Sequence, residues 1–202
     1  MRRLIYVPII HAQADMGSLR PALERKFLER YKIGDWHSHT EAIQRFWDNL
    51  RKRIESLPLD YKETYIYQDG LPVCGKEVQI VKDLADKASP NHKLVLWLME
   101  RGAHLVGTES PALLLAEYEL LRQAFSTPKG NRKQVAAPKK RAAQLLAERD
   151  DYIRRRIAST LPEGATGILF IGLMHRVGET MPPDIEVLCP FGKPSIEKSR
   201  PS

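Results

Sequence analysis

Short apolar runs alternate along this chain with longer segments whose apolar residues recur at helical spacing. The runs that predict strands are 4–10, 64–67, 103–107, 167–172 and 184–189. The run at 167–172, GILFIG, is continuous and apolar, as central strands of parallel sheets tend to be. Because helical segments separate the strands, this order favours a mostly parallel or mixed sheet with helices on its faces. We therefore predict an α/β fold with a central sheet of about four or five strands.

Capping signals indicate where helices begin between these strands. Ser89-Pro90 and Ser110-Pro111 each supply an N-cap residue followed by a first-turn proline. The segment 41–57 carries the clearest amphipathic stripe. The helices predicted in this way cover 19–31, 41–57, 76–87, 90–101, 111–125 and 140–161.

The length of 202 residues suits one α/β domain, which we place at 1–189, followed by a poorly ordered tail at 190–202. With 43% apolar and 28% charged residues, the composition is close to that of globular proteins, so the chain can bury a sizeable core and need not be disordered. The collagen and coiled-coil classes are excluded. No apolar stretch approaches the roughly 20 residues of a membrane helix. We expect no membrane partner.

Positive charge is concentrated in one part of the chain. The sequence has 32 Lys and Arg against 25 Asp and Glu, a formal net charge of +7. Between positions 120 and 147 there is no acidic residue, and the basic residues there are Arg122, Lys129, Arg132, Lys133, Lys139, Lys140 and Arg141. Without them the rest of the chain is balanced. The segment 126–139, STPKGNRKQVAAPK, has the composition of an exposed, mobile loop.

Cysteine usage favours a reducing compartment. Cys74 and Cys189 are too few for a disulfide framework and have no metal-binding spacing, so we expect a cytoplasmic protein. The start, MRRLIYVPIIHAQA, imitates a signal peptide, but its apolar run is short and contains Pro8.

Polar side chains stand at or just after the predicted carboxyl ends of four strands. They are His11, Asp69, Glu109 and His175. Ligands of parallel sheets gather outside the carboxyl ends of the strands. Imidazoles and carboxylates at one such edge offer general acids and bases, or ligands for a divalent metal ion. Each of them alone is also consistent with an ordinary polar loop residue.

Arg149 interrupts the apolar stripe of the helix predicted at 140–161. It follows Leu146 by three positions and precedes Ile153 by four, which places it on the buried face. A buried guanidinium needs an acidic or anionic partner, because an unpaired buried charge is strongly unfavourable. That partner is either a structural carboxylate or a carboxylate or oxyanion held at the active edge of the sheet.

The other histidines favour structural interpretations. His37 and His39 are predicted in a surface loop, and His92 in an exposed first turn of a helix. His104 lies inside a strand, where packing or hydrogen bonding accounts for it.

Four segments carry a likeness to a known group of proteins: Ile9-Ile10-His11, Glu109 with its flanking residues, Glu148-Arg149-Asp150, and 168–175, written ILFIGLMH. Together they resemble the TraB/Tiki/EreA/ChaN-like superfamily, whose members have a histidine after an early strand, a glutamate after a later one, an Arg-Asn or Arg-Asp helix and a Gly-x-x-His strand end. The segment before His11 lacks the Gly and Glu of that pattern, so Asp15 or Asp69 would have to replace the acidic group.

The resemblance implies a polar site rather than one substrate. The superfamily contains metal-dependent proteases, an esterase acting on a macrolide lactone, and ligand-binding members, including haem binders. We expect a hydrolase-like enzyme acting on a small molecule or a peptide. In it, water is activated near His11 and Glu109, either directly or through a divalent metal. His175 is a second base or ligand, and Arg149 stabilises negative charge. A divalent metal would be held by His11, Glu109, His175 and Asp69.

Two alternatives belong to other classes of protein. A nucleotide- or nucleic-acid-binding regulator would contact phosphates through the basic loop at 129–141, which we favour less because charge runs are usually solvated. A carrier of haem or another small ligand would use His175 or His11 as an axial ligand.

Overall fold

The computed structural model describes residues 1–10, 33–126 and 136–192, with the side chains of 1–10, 41–123 and 139–192. The strands are β1 (Arg2–Ile9), β2 (Thr64–Gln68), β3 (His104–Val106), β4 (Thr166–Gly172) and β5 (Ile185–Leu188). The helices are α1 (Ile33–Glu55), α2 (Glu77–Asp86), α3 (Pro90–Glu100), α4 (Pro111–Ser126) and α5 (Ala136–Thr160). The helix predicted at 19–31 and the tail beyond 192 lie outside the described residues.

The five strands form one parallel sheet in the order β3-β2-β4-β1-β5. Ile168 of the central strand β4 pairs with Ile5 of β1 on one side and with Ile66 of β2 on the other. Strand β4 is therefore paired along both of its edges, and its side chains from Ile168 to Ile171 are fully buried. The predicted α/β fold with a parallel central sheet is confirmed.

Apolar side chains cover the sheet on both faces, because successive residues of a strand point to opposite sides. On one face α1, α2 and α3 pack against Ile5, Ile66 and Phe170. On the other face Ile153 and Ile157 of α5 join the cluster that contains Leu4, Tyr67 and Leu169. Each fully buried side chain of this size contributes roughly 1.5–3 kcal/mol, so the two clusters fix α5 against the sheet.

The connections leave opposite faces of the sheet at neighbouring strands. The chain after β2 continues to α2 and α3 on the first face. Strand β3 is followed by α4, which contacts α5, and then by α5 on the second face, where the 3-10 turn at Val177–Thr180 after β4 also packs. Strand β2 lies between β3 and β4. In open parallel sheets, ligands bind at the carboxyl ends of the strands beside such a reversal.

Two helices begin earlier than the sequence pattern predicts. Helix α1 starts at Ile33 instead of 41, so the backbone at His37 and His39 is helical rather than a loop. The apolar stripe marks where a helix is packed, and α1 extends beyond it. Helix α5 starts at Ala136 and α4 ends at Ser126, so the predicted loop at 126–139 is too long at both ends. Pro138 fits the first turn of α5, where its missing N–H has no helical partner to bond.

Two histidines differ in exposure from their predictions. His92 is buried, because it lies on the inner side of the first turn of α3 and hydrogen-bonds the capping Ser89. His104 is exposed, although its ring is hydrogen-bonded to the Lys62 carbonyl and stacks on Tyr65. Among the described helices, none combines the length and the apolar character needed to cross a membrane.

Candidate active site

The guanidinium of Arg149 lies among three carboxylates. Its Nε donates to Glu109 Oε2 at 2.6 Å, and its Nη2 donates to Glu109 Oε1 at 2.5 Å and to Asp69 Oδ1 at 2.8 Å. Nη1 donates to Glu117 Oε2 at 2.6 Å. The side chains of Arg149, Asp69 and Glu109 are all at most 6% exposed, so solvent screens these charges weakly. The expectation that Arg149 is buried beside an acidic partner is confirmed.

Glu109 is placed by hydrogen bonds between the loops that follow β2 and β3. The backbone N–H groups of Thr108 and Glu109 both donate to the Leu71 carbonyl at 2.9 Å, and Val73 N–H donates back to the Glu109 carbonyl at 2.9 Å. Gly70 N–H also donates to Glu109 Oε1 at 2.8 Å. These bonds fix the carboxylate where Arg149 reaches it.

Asp69 joins the ends of the two central strands. Its backbone N–H donates to the Phe170 carbonyl at 2.9 Å, which continues the pairing of β2 with β4 by one residue. Its side chain accepts the Gly172 N–H at Oδ2, also at 2.9 Å. One carboxylate therefore binds the end of β4 through one oxygen and Arg149 through the other.

His175 lies on the loop after β4, between two carboxylates. Its Nδ1 donates to Asp150 Oδ1 at 2.5 Å, and its Nε2 faces Asp69 Oδ2 at 3.6 Å. The loop is held by His175 N–H donating to the Gly172 carbonyl, and by the Tyr6 hydroxyl donating to the His175 carbonyl. Asp150 therefore orients the ring and leaves Nε2 without a direct hydrogen bond at this distance.

The electrostatics of the site favour bound protons. Burial alone lowers the pKa of His175, but the hydrogen bond to Asp150 and the charge of Asp69 outweigh it and raise that pKa above its ordinary value. Burial raises the pKa of Glu109, with Arg149 opposing and Asp69 reinforcing the change. The carboxylates around Arg149 raise its pKa despite burial, so the guanidinium stays charged.

The structure brings together four of the five residues predicted from the strand ends and the helix stripe. Asp69, Glu109, Arg149 and His175 form one connected network at the carboxyl edge of the sheet. His11, like Asp15, lies outside the described residues. Its predicted part in the site stays a prediction.

Two acidic members of the network were not predicted as site residues. Asp150 appears in the sequence only as the neighbour of Arg149 in a short motif, yet it holds both His175 and the Arg176 N–H. Its position next to a buried arginine is the signal that could have found it. Glu117 has no such signal, because nothing in the sequence distinguishes it from Glu119, which stands two positions later on the same helix.

A divalent metal does not fit the described part of this network. The oxygens of Asp69 and Glu109 already accept hydrogen bonds from Arg149 and from backbone N–H groups. The guanidinium places a positive charge where a cation would otherwise bind. Within 1–10, 33–126 and 136–192, no group of three or more His, Cys, Asp or Glu side chains is arranged to hold a metal ion. The haem hypothesis stays a prediction, with both ring nitrogens of His175 facing carboxylates.

The basic segment is described only in part. Lys139, Lys140 and Arg141 are exposed on the first turns of α5, and Arg141 is within 3.3 Å of Glu148. Lys129, Arg132 and Lys133 lie outside the described residues.

Comparisons with protein-family models, with curated proteins and with solved structures found no match for this chain.

Proposed function

We propose that this protein is a hydrolase-like enzyme in which His175 moves the proton of an attacking water molecule. The observation that carries the proposal is the line of Asp150, His175 and Asp69, in which one ring nitrogen is fixed by a carboxylate and the other faces Asp69 Oδ2 at 3.6 Å. An imidazole held in this way is the usual arrangement for general acid–base catalysis. Ligands of open parallel sheets bind at the carboxyl ends of the strands, where this network lies, and we expect a small molecule or a peptide to bind there.

The proposed step uses groups of this chain and solvent water. Neutral His175 accepts a proton from water at Nε2 while the water oxygen bonds to the electrophilic carbon or phosphorus of the substrate. Asp150 stabilises the resulting imidazolium, because its carboxylate accepts the hydrogen bond from Nδ1–H and carries the opposite charge. The imidazolium then gives its proton to the leaving group when the bond to that group breaks. Atoms and charge balance without a further reactant.

Arg149 has a positioning role in this proposal. Its nitrogens are engaged by Asp69, Glu109 and Glu117, so it fixes the carboxylate that faces His175 rather than meeting the reacting atoms directly. Asp69 keeps negative charge close to the ring, which favours the imidazolium that forms during the step.

Chromogenic carboxyl-ester, peptide and phosphoester substrates test the proposal. We expect one class to be hydrolysed by the wild type, with a rate that rises with pH through a pKa above the ordinary value of histidine. His175→Gln should lower kcat/KM by about 100-fold or more, the usual contribution of a general base. Asp150→Asn should move the pH limb downward, because the hydrogen bond that raises the pKa of His175 is weakened.

His104→Gln is the matched control, since His104 is exposed and begins β3, which β2 separates from β4. It should leave both the rate and the pH limb unchanged. The proposal fails if no substrate class is hydrolysed, or if His175→Gln retains wild-type kcat/KM.

A further inference from the structure

Arg149 presents its hydrogen-bond donors to two very different surroundings. The Nε and Nη2 donors face Glu109 and Asp69, which are 0% and 4% exposed as side chains and are fixed further by the backbone N–H groups of Gly70 and Gly172. These partners belong to the framework of the site. An incoming molecule could displace them only by leaving buried carboxylates unpaired, which is strongly unfavourable.

The Nη1 donor faces a partner that is held much less firmly. Glu117 is 34% exposed, and its described hydrogen bonding consists of the 2.6 Å contact with Nη1. It belongs to α4, in which none of the side chains described, 111–123, is buried. Rotation of the Glu117 side chain toward solvent would leave its own carboxylate hydrated and expose one face of a permanently charged guanidinium.

We propose that the Nη1 edge of Arg149 is a subsite for a carboxylate group of the substrate, and that Glu117 occupies this subsite until the substrate arrives. The exchange replaces one carboxylate by another, so the charge around the guanidinium is conserved. Arginine suits this role, because its planar N–H groups match the geometry of a carboxylate.

The subsite is connected to the proton-transfer group through one residue. Asp69 accepts from Arg149 Nη2 through Oδ1 and faces His175 Nε2 through Oδ2. A carboxylate held at Nη1 therefore binds to the same network that would carry the chemistry. The inference rests on the proposed function only in treating the bound molecule as a substrate, since binding of a carboxylate can be measured without turnover.

Propionate binding to the wild type, Glu117→Gln and Glu119→Gln tests the proposal. The resonances to follow are Arg149 Nε–H in ¹⁵N NMR and the side-chain carboxyl of Glu117 in ¹³C NMR. Glu119 is the matched control, because it lies on the same helix, is paired with the exposed Arg122 and loses the same charge.

The expected result follows from competition between the ligand and Glu117. The apparent Kd of the ligand equals its intrinsic Kd divided by the fraction of time for which the subsite is free. We expect Glu117→Gln to bind propionate about tenfold more tightly than the wild type or Glu119→Gln.

Three results would overturn the proposal. Equal propionate affinity in Glu117→Gln and Glu119→Gln would show that Glu117 is not a placeholder. If Glu117→Gln does not fold, the wild type is measured alone. A Glu117 carboxyl resonance that does not move at saturating propionate would then contradict displacement of Glu117. Inorganic phosphate is the second arm, and tighter binding of phosphate than propionate would reject a carboxylate subsite. A failure here leaves the His175 pH limb intact, which separates it from failure of the proposed function.

Discussion

At the level of single residues, the site is organised around one buried positive charge. Arg149 interrupts the apolar stripe of α5, and the loops after β2 and β3 together with α4 provide the carboxylates that surround it. Removing one partner from such a network costs far more than the network contributes, because the remaining charges stay buried without compensation. Stability and function therefore depend on the same side chain.

Replacing Arg149 by Met should destabilise the protein by about 3–5 kcal/mol, since Glu109 and Asp69 would remain buried without their cation. Urea unfolding at neutral pH followed by circular dichroism measures the loss. Arg155→Met is the control on the same helix, because Arg155 pairs with Asp151 at 2.9 Å while 65% exposed. Its midpoint should stay close to that of the wild type. Equal effects of the two substitutions would contradict a special role for burial.

Stability should also depend on the protonation of His175. Its pKa is raised in the folded protein, so the folded state binds the proton more tightly than the unfolded state. The stabilisation is complete below the unfolded pKa, whose ordinary value is 6.5, and is lost as the pH rises through the folded pKa. Each unit of difference between the two pKa values corresponds to about 1.4 kcal/mol.

Urea unfolding between about pH 6 and pH 8 tests this dependence, in the range where histidine titrates. The free energy of unfolding of the wild type should fall with rising pH more steeply than that of His175→Gln. Asp150→Asn should show an intermediate slope, because the side chain that raises the pKa most no longer carries a charge. Parallel curves for the wild type and His175→Gln would contradict the raised pKa.

At the level of secondary-structure elements, the approach of α5 to the sheet sets the site. Gly167 of β4 has no side chain, and a Cβ placed there would lie 2.8 Å from Leu4 Cδ1, 3.3 Å from Tyr67 and 3.4 Å from Leu161. These neighbours belong to the core between the sheet and the C-terminal end of α5. Glycine at this position therefore allows the helix that carries Arg149 and Asp150 to pack closely on β4.

Gly167→Ala should destabilise the protein by about 1–3 kcal/mol, the usual cost of overpacking a well-filled core. Leu4→Val would remove the atom nearest to the new methyl group. We expect the double variant to lose less stability than the sum of the two single variants, which a double-mutant cycle of urea unfolding measures. Strict additivity would mean that the two positions do not compete for the same space.

The sequence predicted strands better than helix starts or pairings between elements. A run such as 167–172 is buried on both sides, so its continuous apolar character is a local signal. The start of α1 at Ile33 has no such signal, because the apolar stripe records packing and not helix formation. Arg149 was predicted by the stripe it interrupts, whereas Glu117 is chosen by the way α4 lies beside α5, which no local pattern encodes.

At the level of the whole molecule, the order of the strands brings distant segments to one edge. Asp69 and Glu109 follow neighbouring strands, and His175 follows β4 on the other side of β2. The positive excess of the chain lies elsewhere in the sequence, between 120 and 147. Its described members Lys139, Lys140 and Arg141 are exposed, as expected for a solvated segment.

Neutralising the basic segment separates the proposed enzyme from the nucleic-acid-binding alternative. Changing Lys129, Lys133, Lys139, Lys140, Arg132 and Arg141 together to Gln removes six positive charges and lowers the formal net charge from +7 to +1. Because a single surface substitution usually changes stability by no more than about 0.5 kcal/mol, we expect the free energy of unfolding to change by no more than about 0.5 kcal/mol per substitution. The kcat for an uncharged substrate should be unchanged.

Fluorescence anisotropy with a labelled single-stranded RNA and with ATP, between about 50 and 200 mM salt, completes the test. Contacts to phosphates release counterions, so a regulator that uses this segment would bind the wild type with an affinity that falls steeply with salt. The sextuple variant would then lose both the affinity and its salt dependence. We expect weak binding that differs little between the two proteins. A steep slope confined to the wild type would instead assign the function to the basic segment and leave the buried network of Arg149 a structural role.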